Sequence, residues 1–188
     1  MKKLYIPNAI TGARLICVPV LSWFIVSRNF DVALWLMVAM SLSDAIDGFL
    51  AKRCDWETRF GTFFDPFTDK VMLIVSFFTL SAIGLLPWWL SVLILLSAVM
   101  LMTGGTVLYF RDSDFHISPP LVSKFNTAIQ YVLIILVLFM YSSMAVNEAM
   151  LRKSVEVLVW LIAFSTVWSV LSYMCHYRDW VRAKKIPC

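Results

Sequence analysis

Residues 43–70 read SDAIDGFLAKRCDWETRFGTFFDPFTDK. Four carboxylates in this stretch, Asp44, Asp47, Asp65 and Asp69, lie within or at the edge of two segments that are otherwise apolar. Charged side chains in such segments are costly and therefore rare, and where they occur they mark functional sites. The stretch is therefore the first place to look for chemistry.

The spacing of the carboxylates predicts how they are arranged. Asp44 and Asp47 are three residues apart and Asp65 and Asp69 are four apart, so each pair lies on one face of an α-helix. Two facing pairs would form a four-carboxylate cluster, in which like charges repel unless cations neutralise them. Carboxylate oxygens suit hard divalent metals, and magnesium commonly binds through a few carboxylates plus substrate phosphates. The pattern predicts a divalent-metal site and a phosphate-bearing substrate.

The composition around this stretch favours an integral membrane protein. Of the 188 residues, 61% are hydrophobic and 15% are charged, and a water-soluble domain with this composition would expose too much apolar surface. Six apolar runs approach or exceed the roughly 20 residues that a helix needs to cross a bilayer. They cover residues 9–27, 32–51, 62–84, 87–109, 121–141 and 154–175. We predict an all-α protein with six transmembrane helices in a single domain, residues 1–188.

The distribution of basic residues predicts the orientation, because cytoplasmic loops carry an excess of Lys and Arg. With both termini in the cytoplasm, the external side carries only Arg28, Arg152 and Lys153. The cytoplasmic side then carries Lys2, Lys3, Lys52, Arg53, Arg59, Arg111, Lys124, Arg178, Arg182, Lys184 and Lys185. The carboxylate cluster is accordingly expected to face the cytoplasm.

The carboxylates belong to a longer pattern. From Asp44 to Asp69 the sequence reads D-x2-D-G-x2-A-K-x8-G-x3-D-x3-D. This pattern resembles the signature of the CDP-alcohol phosphatidyltransferases. One departure is Lys52, which stands where the family usually has arginine and is followed by Arg53; the charge is kept, but the bidentate geometry is not.

The resemblance implies a six-helix membrane fold, usually dimeric, with two divalent ions between the second and third helices. It implies that Asp44, Asp47 and Asp65 ligate metal, and that Asp69 is a further ligand or the general base on the acceptor hydroxyl. Mg²⁺ is the expected ion and Mn²⁺ the alternative. The implied phosphatidyl donor is CDP-diacylglycerol and the implied acceptor is a lipid or small-molecule alcohol, with no role for nucleic acid.

The opening segment, residues 6–14, is similar to the P-N-x2-T-x2-R start of the family's phosphatidylglycerophosphate and cardiolipin synthase branch. Asn8, Thr11 and Arg14 thereby become candidates for holding nucleotide or diphosphate. A helix cap and an arginine that extends to the membrane surface would explain them equally well.

Other candidate substrate-binding residues have structural alternatives too. Gly48 and Gly61 allow close approach of a ligand, or simply of a neighbouring helix. Lys52 and Arg53 are placed to meet a diphosphate, or serve only as topology signals.

A second resemblance lies farther along the chain. The segment from Ser123 to Gln130 looks like the S-K-x-N-T-x2-Q stretch of cardiolipin-synthase-like members. Lys124 would there meet an acceptor phosphate, or anchor the helix at the membrane surface. Related branches often carry an Arg-Asp pair in the fourth helix, where this chain has Ala98 and Val99, and this absence leaves the identity of the acceptor open.

Three classes of function follow. The leading hypothesis is a homodimeric enzyme of the bacterial inner membrane that makes a cardiolipin-type product from phosphatidylglycerol, or alternatively phosphatidylglycerophosphate from glycerol 3-phosphate. The second is an ion or metal transporter, since intramembrane carboxylates also build ion pathways. The third is a family member that has lost activity and serves as a binding or assembly subunit.

Overall fold

The computed structural model describes the backbone of residues 5–54, 59–111 and 121–184, and the side chains of residues 12, 14–43, 68–100, 125–172 and 174. Over the described backbone the chain forms α-helices and no strand, so the all-α prediction is confirmed. The helices are α1 (Tyr5–Val26), α2 (Phe30–Cys54), α3 (Arg59–Ala82), α4 (Trp88–Arg111), α5 (Leu121–Met140) and α6 (Glu148–Lys184).

The sequence after the first and third helices carries turn residues, Arg28-Asn29-Phe30-Asp31 and Gly84-Leu85-Leu86-Pro87, and the chain turns at both places. After α3, Gly84 adopts a positive φ of 80°, and its N–H and that of Leu85 donate to the carbonyls of Ser81 and Leu80 at 3.0 and 2.9 Å. This pair of bonds is a Schellman cap, which requires a left-handed residue and therefore favours glycine. Pro87 then precedes α4, where its fixed φ suits a helix start.

The same cap ends α1, but with an arginine in the left-handed position. Arg28 has φ 59°, its N–H donates to Ile25 O at 3.1 Å, and the N–H of Asn29 donates to Phe24 O at 3.0 Å. Asp31 follows in the first turn of α2 and accepts hydrogen bonds from the Ser143 N–H and hydroxyl, both at 2.9 Å. The connection between α5 and α6 is thereby tied to the start of α2.

The last helix is longer than predicted. It begins at Glu148 rather than 154 and ends at Lys184 rather than 175. The side chain of Asn147 accepts a hydrogen bond from the Met150 N–H at 3.4 Å, in the manner of an N-cap. The apolar run located the central part of α6, whereas the helix continues through the polar residues on either side.

The helix packing determines what surrounds the carboxylate-bearing helices. In the parts of the chain that the structure describes, α1 and α5 each contact both α2 and α3, whereas α2 and α3 do not contact each other. α4 packs on α3 and α6, and α6 packs on α5. The largest fully buried side chains of the core lie on all six helices and are Leu21, Ile25, Met37, Met72, Leu73, Phe77, Leu80, Leu90, Leu133, Ile134, Leu138 and Ile162.

The outer surface of the bundle is apolar. Trp23, Trp160 and Phe164 are 71%, 70% and 72% exposed, which suits a hydrocarbon environment and is unfavourable in water. Within the described residues, Glu148–Ser172 is the one helical segment both long and apolar enough to cross a membrane. Shorter apolar helical segments cover Arg14–Val26, Phe30–Ser43, Trp88–Met100 and Phe125–Met140. The arrangement of six spans stays a prediction.

Candidate active site

An ion pair joins α1 to α3 at the end of the carboxylate pattern. Arg14 Nη1 lies 3.0 Å from Asp69 Oδ1 and donates a hydrogen bond to it. The Arg14 side chain is 4% exposed and that of Asp69 is 22% exposed. Charges removed from water to this degree are tolerated when they are paired and hydrogen-bonded. The partial exposure of Asp69 leaves its carboxylate within reach of a bound molecule.

The ion pair bears on the two explanations that the sequence left open for Arg14. Arg14 was a candidate substrate-binding residue or an arginine extending to the membrane surface. Its guanidinium lies inside the bundle against Asp69 and does not extend to the surface. Its role in holding nucleotide or diphosphate stays a prediction. The sequence did not predict this contact, because the two residues are separated by 55 positions and belong to different motifs.

The remaining carboxylates lie on the helices that the spacing argument requires. Asp44 and Asp47 are in α2 and Asp65 is in α3 with Asp69, so the helical face argument applies to both pairs. The side chains of Asp44, Asp47 and Asp65 lie outside the described part of the structure. Convergence of the four carboxylates on one site therefore stays a prediction.

A second contact near Asp69 involves a lysine that the sequence reasoning passed over. Lys70 Nζ donates a hydrogen bond to Thr127 Oγ1 of α5 at 3.2 Å, and both residues are half-buried. The available signal was a cation directly after Asp69, within a segment otherwise suited to crossing the membrane. Thr127 belongs to the S-K-x-N-T-x2-Q segment, so this bond joins the two motifs.

The asparagine of that segment has a structural role. Asn126 is buried, accepts a hydrogen bond from Ser165 Oγ at 2.7 Å and donates one to Thr166 Oγ1 at 3.1 Å. Hydrogen bonds between buried polar side chains of two packed helices hold those helices together. Asn126 thus fixes α5 against α6, while the next residue, Thr127, contacts α3.

The other predicted substrate-binding residues lie in helices, but their side chains are outside the described set. They are Asn8 and Thr11 in α1, Gly48, Lys52 and Arg53 in α2, Gly61 in α3 and Lys124 in α5. Their roles stay predictions.

The predicted metal ligands are the four carboxylates of the signature. Among the residues whose side chains are described, no group of three His, Cys, Asp or Glu residues could hold a metal ion. Three of the four predicted ligands lie outside that part of the chain. A set made only of carboxylates fits a hard divalent cation and would not favour a soft one.

An apolar groove of about 550 Å³ runs between α1 and α3. Its lining includes Leu15, the residue after Arg14 in α1, and Val71, two residues after Asp69 in α3, and it extends along α1 to Val26. Its full lining is Leu15, Val18, Pro19, Ser22, Trp23, Val26, Val71 and Val75. The same two helices, α1 and α3, thus carry both the ion pair and the apolar groove.

Sequence comparisons identify relatives of the chain. The "Cardiolipin synthase (CMP-forming)" of Rattus norvegicus is 27% identical over 198 residues, covering 96% of this chain and 64% of the rat protein. The human protein of the same name is 26% identical, with the same coverage. The "CDP-diacylglycerol--glycerol-3-phosphate 3-phosphatidyltransferase" of Aquifex aeolicus is 32% identical over 127 residues, covering 65% of this chain and 68% of that protein.

This chain spans 64% of the length of its two mammalian relatives. The family profile described as "CDP-alcohol phosphatidyltransferase" matches residues 4–172, which include the carboxylate signature and both flanking motifs. The resemblance inferred from the signature is confirmed, and the chain belongs to the CDP-alcohol phosphatidyltransferase family.

Proposed function

We propose that this protein transfers a phosphatidyl group from CDP-diacylglycerol to a glycerol-type alcohol, with release of CMP, in phospholipid biosynthesis. The observation that carries the proposal is the position of Asp69. This last carboxylate of the signature is held by Arg14 in a largely buried site, 3.0 Å from the guanidinium, and the two helices that carry this pair also line an apolar groove. A substrate with a charged head and acyl chains matches both parts.

Asp69 is proposed as the general base. The acceptor hydroxyl oxygen bonds to the phosphorus that carries the diacylglycerol, and the bond from that phosphorus to the CMP oxygen breaks. CMP leaves with the bonding electron pair, and the proton of the hydroxyl passes to the Asp69 carboxylate. Arg14 orients this carboxylate and balances its charge when no proton is bound. No covalent enzyme intermediate is needed.

Asp44, Asp47 and Asp65 are proposed to hold two divalent cations, Mg²⁺ or alternatively Mn²⁺, with Asp69 at the edge of the same site. Bound there, the cations would neutralise the diphosphate and stabilise charge on the departing CMP. The remaining candidates would bind the donor, through the polar groups of Asn8 and Thr11, the cations of Lys52 and Arg53, and close backbone approach at Gly48 and Gly61.

The family is membrane-embedded, and the exposed aromatic side chains of this chain suit a lipid environment. We propose that residues 1–188 form one domain with six spans and both termini in the cytoplasm. The proposed setting is the bacterial inner membrane, with the site facing the cytoplasm and two copies forming a homodimer. The clustering of basic residues near the signature supports this orientation.

Phosphatidylglycerol is the favoured acceptor, which would give a cardiolipin-type product. The support is that the two mammalian relatives, both cardiolipin synthases by name, match 96% of this chain. Glycerol 3-phosphate is the second candidate. It is favoured by the 32% identity to the Aquifex aeolicus protein, whose name specifies that acceptor.

The test is a product assay with the full chain purified in detergent. CDP-diacylglycerol and Mg²⁺ are combined with phosphatidylglycerol, glycerol 3-phosphate or no acceptor, and CMP and the lipid products are identified by mass spectrometry. We expect acceptor-dependent CMP release that EDTA abolishes and added Mg²⁺ restores. Absence of CMP with every acceptor would contradict the proposal. Metal-driven ion flux in vesicles, without CMP release, would favour a transporter.

A further inference from the structure

Two basic side chains, Arg14 and Lys70, lie at the end of the carboxylate signature and make contacts on different sides of α3. Arg14 of α1 contacts Asp69, whereas Lys70, the next residue, contacts Thr127 of α5. Successive residues on a helix point about 100° apart, and the two contacts show that this turn of α3 meets α1 on one side and α5 on the other. The general base proposed above therefore has a second basic group beside it, on the side of α5.

The ammonium of Lys70 can donate hydrogen bonds in addition to the one that Thr127 accepts. A lysine ammonium carries three N–H donors, and the hydroxyl of Thr127 accepts one at 3.2 Å. Lys70 is half-buried, so a cation held here is partly removed from water and interacts strongly with an anion that enters. The hydroxyl fixes where the ammonium lies, and the remaining donors suit the oxygens of a phosphate.

The backbone places another lysine near this contact. Lys124 lies three residues before Thr127 in α5, and residues at this spacing lie on the same helical face. The backbones of α3 and α5 thus carry two lysines from different motifs, each within one helical turn of this contact.

We propose that Lys70, positioned by Thr127, binds the phosphate of the acceptor alcohol and thereby selects a phosphate-bearing glycerol over neutral glycerol. The inference rests on the proposed phosphatidyl transfer. The donor diphosphate is assigned to the metal ligands and to α1 and α2, so the α5 side of Asp69 is left for the acceptor. An acceptor phosphate bound at Lys70 would bring a hydroxyl of the same glycerol unit towards Asp69.

The chemistry recognised is a phosphate attached to glycerol, which both glycerol 3-phosphate and phosphatidylglycerol carry. The experiment measures transfer to each of them and to glycerol, for the wild type, Lys70→Gln, Lys70→Arg and Thr127→Val. Lys70→Gln should raise KM for the true phosphate-bearing acceptor by about tenfold or more, the loss expected for a hydrogen bond between charged groups. KM for CDP-diacylglycerol and transfer to glycerol should change little.

The other variants separate binding from packing. Lys70→Arg should restore most of the acceptor affinity, because the cation is kept, and Thr127→Val should give a smaller rise in KM. Lys153→Gln, on the exposed face of α6, is the matched control and should leave all constants unchanged. Equal losses with glycerol and with both phosphate-bearing acceptors, or a fall in kcat at constant acceptor KM, would overturn the assignment.

A binding measurement keeps this inference distinct from the proposed function. Glycerol 3-phosphate is titrated into the purified protein and followed by ³¹P NMR line broadening, and phosphatidylglycerol is titrated in bicelles. Lys70-dependent binding of either compound without transfer would refute the proposed function and retain the phosphate site. Transfer with acceptor binding that is unchanged in Lys70→Gln would retain the function and refute the site. Binding of neither compound to the wild type would also refute the site.

Discussion

The guanidinium of Arg14 in α1 donates a hydrogen bond to the carboxylate of Asp69 in α3 at 3.0 Å, with the arginine almost fully buried. The last carboxylate of the signature is therefore anchored from a neighbouring helix. The contact connects the opening motif of the chain with the carboxylate motif, and it allows the role of each residue to be tested separately.

Asp69→Asn tests the base. The amide is similar in size and still accepts a hydrogen bond from Arg14, but it cannot take the proton of the acceptor hydroxyl. We expect turnover to fall by about 10²- to 10⁴-fold, the usual contribution of general base catalysis, with little change in the affinity for CDP-diacylglycerol. Steady-state CMP release and donor binding measure the two quantities. Near-normal turnover would contradict the assignment.

Arg14→Met tests the ion pair. It leaves the largely buried Asp69 carboxylate without the charge that faces it, so we expect a loss of roughly 2–4 kcal/mol in the free energy of unfolding. The same substitution in an Asp69→Asn background should cost clearly less, because no buried carboxylate then loses its guanidinium partner. Equilibrium unfolding of the four proteins in mixed micelles gives the coupling, and strictly additive losses would show that the pair is not coupled.

Asp31→Ala tests the tie between the α5–α6 connection and α2. The substitution removes the acceptor of two hydrogen bonds from Ser143 and a negative charge in the first turn of α2. Because the site is solvent-exposed, we expect a loss of about 1 kcal/mol. Asp31→Asn, which keeps an acceptor oxygen, should lose less. A thermal unfolding midpoint unchanged in Asp31→Ala would refute a stabilising role.

Arg28→Gly tests the left-handed cap of α1. A non-glycine residue at φ 59° carries a steric cost that glycine avoids, so the substitution should stabilise the protein by about 1 kcal/mol. Arg28→Ala is the matched control, because it removes the charge and keeps the Cβ. A higher unfolding temperature for the glycine variant alone is expected. An equal rise in both variants would assign the effect to charge.

Much of the architecture was predictable from the sequence, because apolar runs and turn residues are local signals. Gly84 and Pro87 located the end of α3 and the start of α4, and the spacing of the four aspartates placed them on two helices. The contacts of Arg14 and Lys70 were not predictable in this way. Their partners lie 55 and 57 residues away, and which helices meet depends on packing that local periodicity does not encode.

The lengths of the helices were partly missed for a related reason. Hydrophobicity marks where a helix is apolar and does not mark where its backbone hydrogen bonds stop. In α6 the polar cap at Asn147 determines the start. Likewise, Asn126 stands in a motif associated with substrate, yet it joins α5 to α6 through Ser165 and Thr166.

The packing of α5 against both α2 and α3 has a consequence for biosynthesis. All four aspartates have been synthesised once α3 has been made, but the helix that carries Thr127 and Lys124 follows two helices later. A nascent chain that comprises only its first three or four helices holds its carboxylates without this neighbour. The contact between α3 and α5 therefore forms late in biosynthesis.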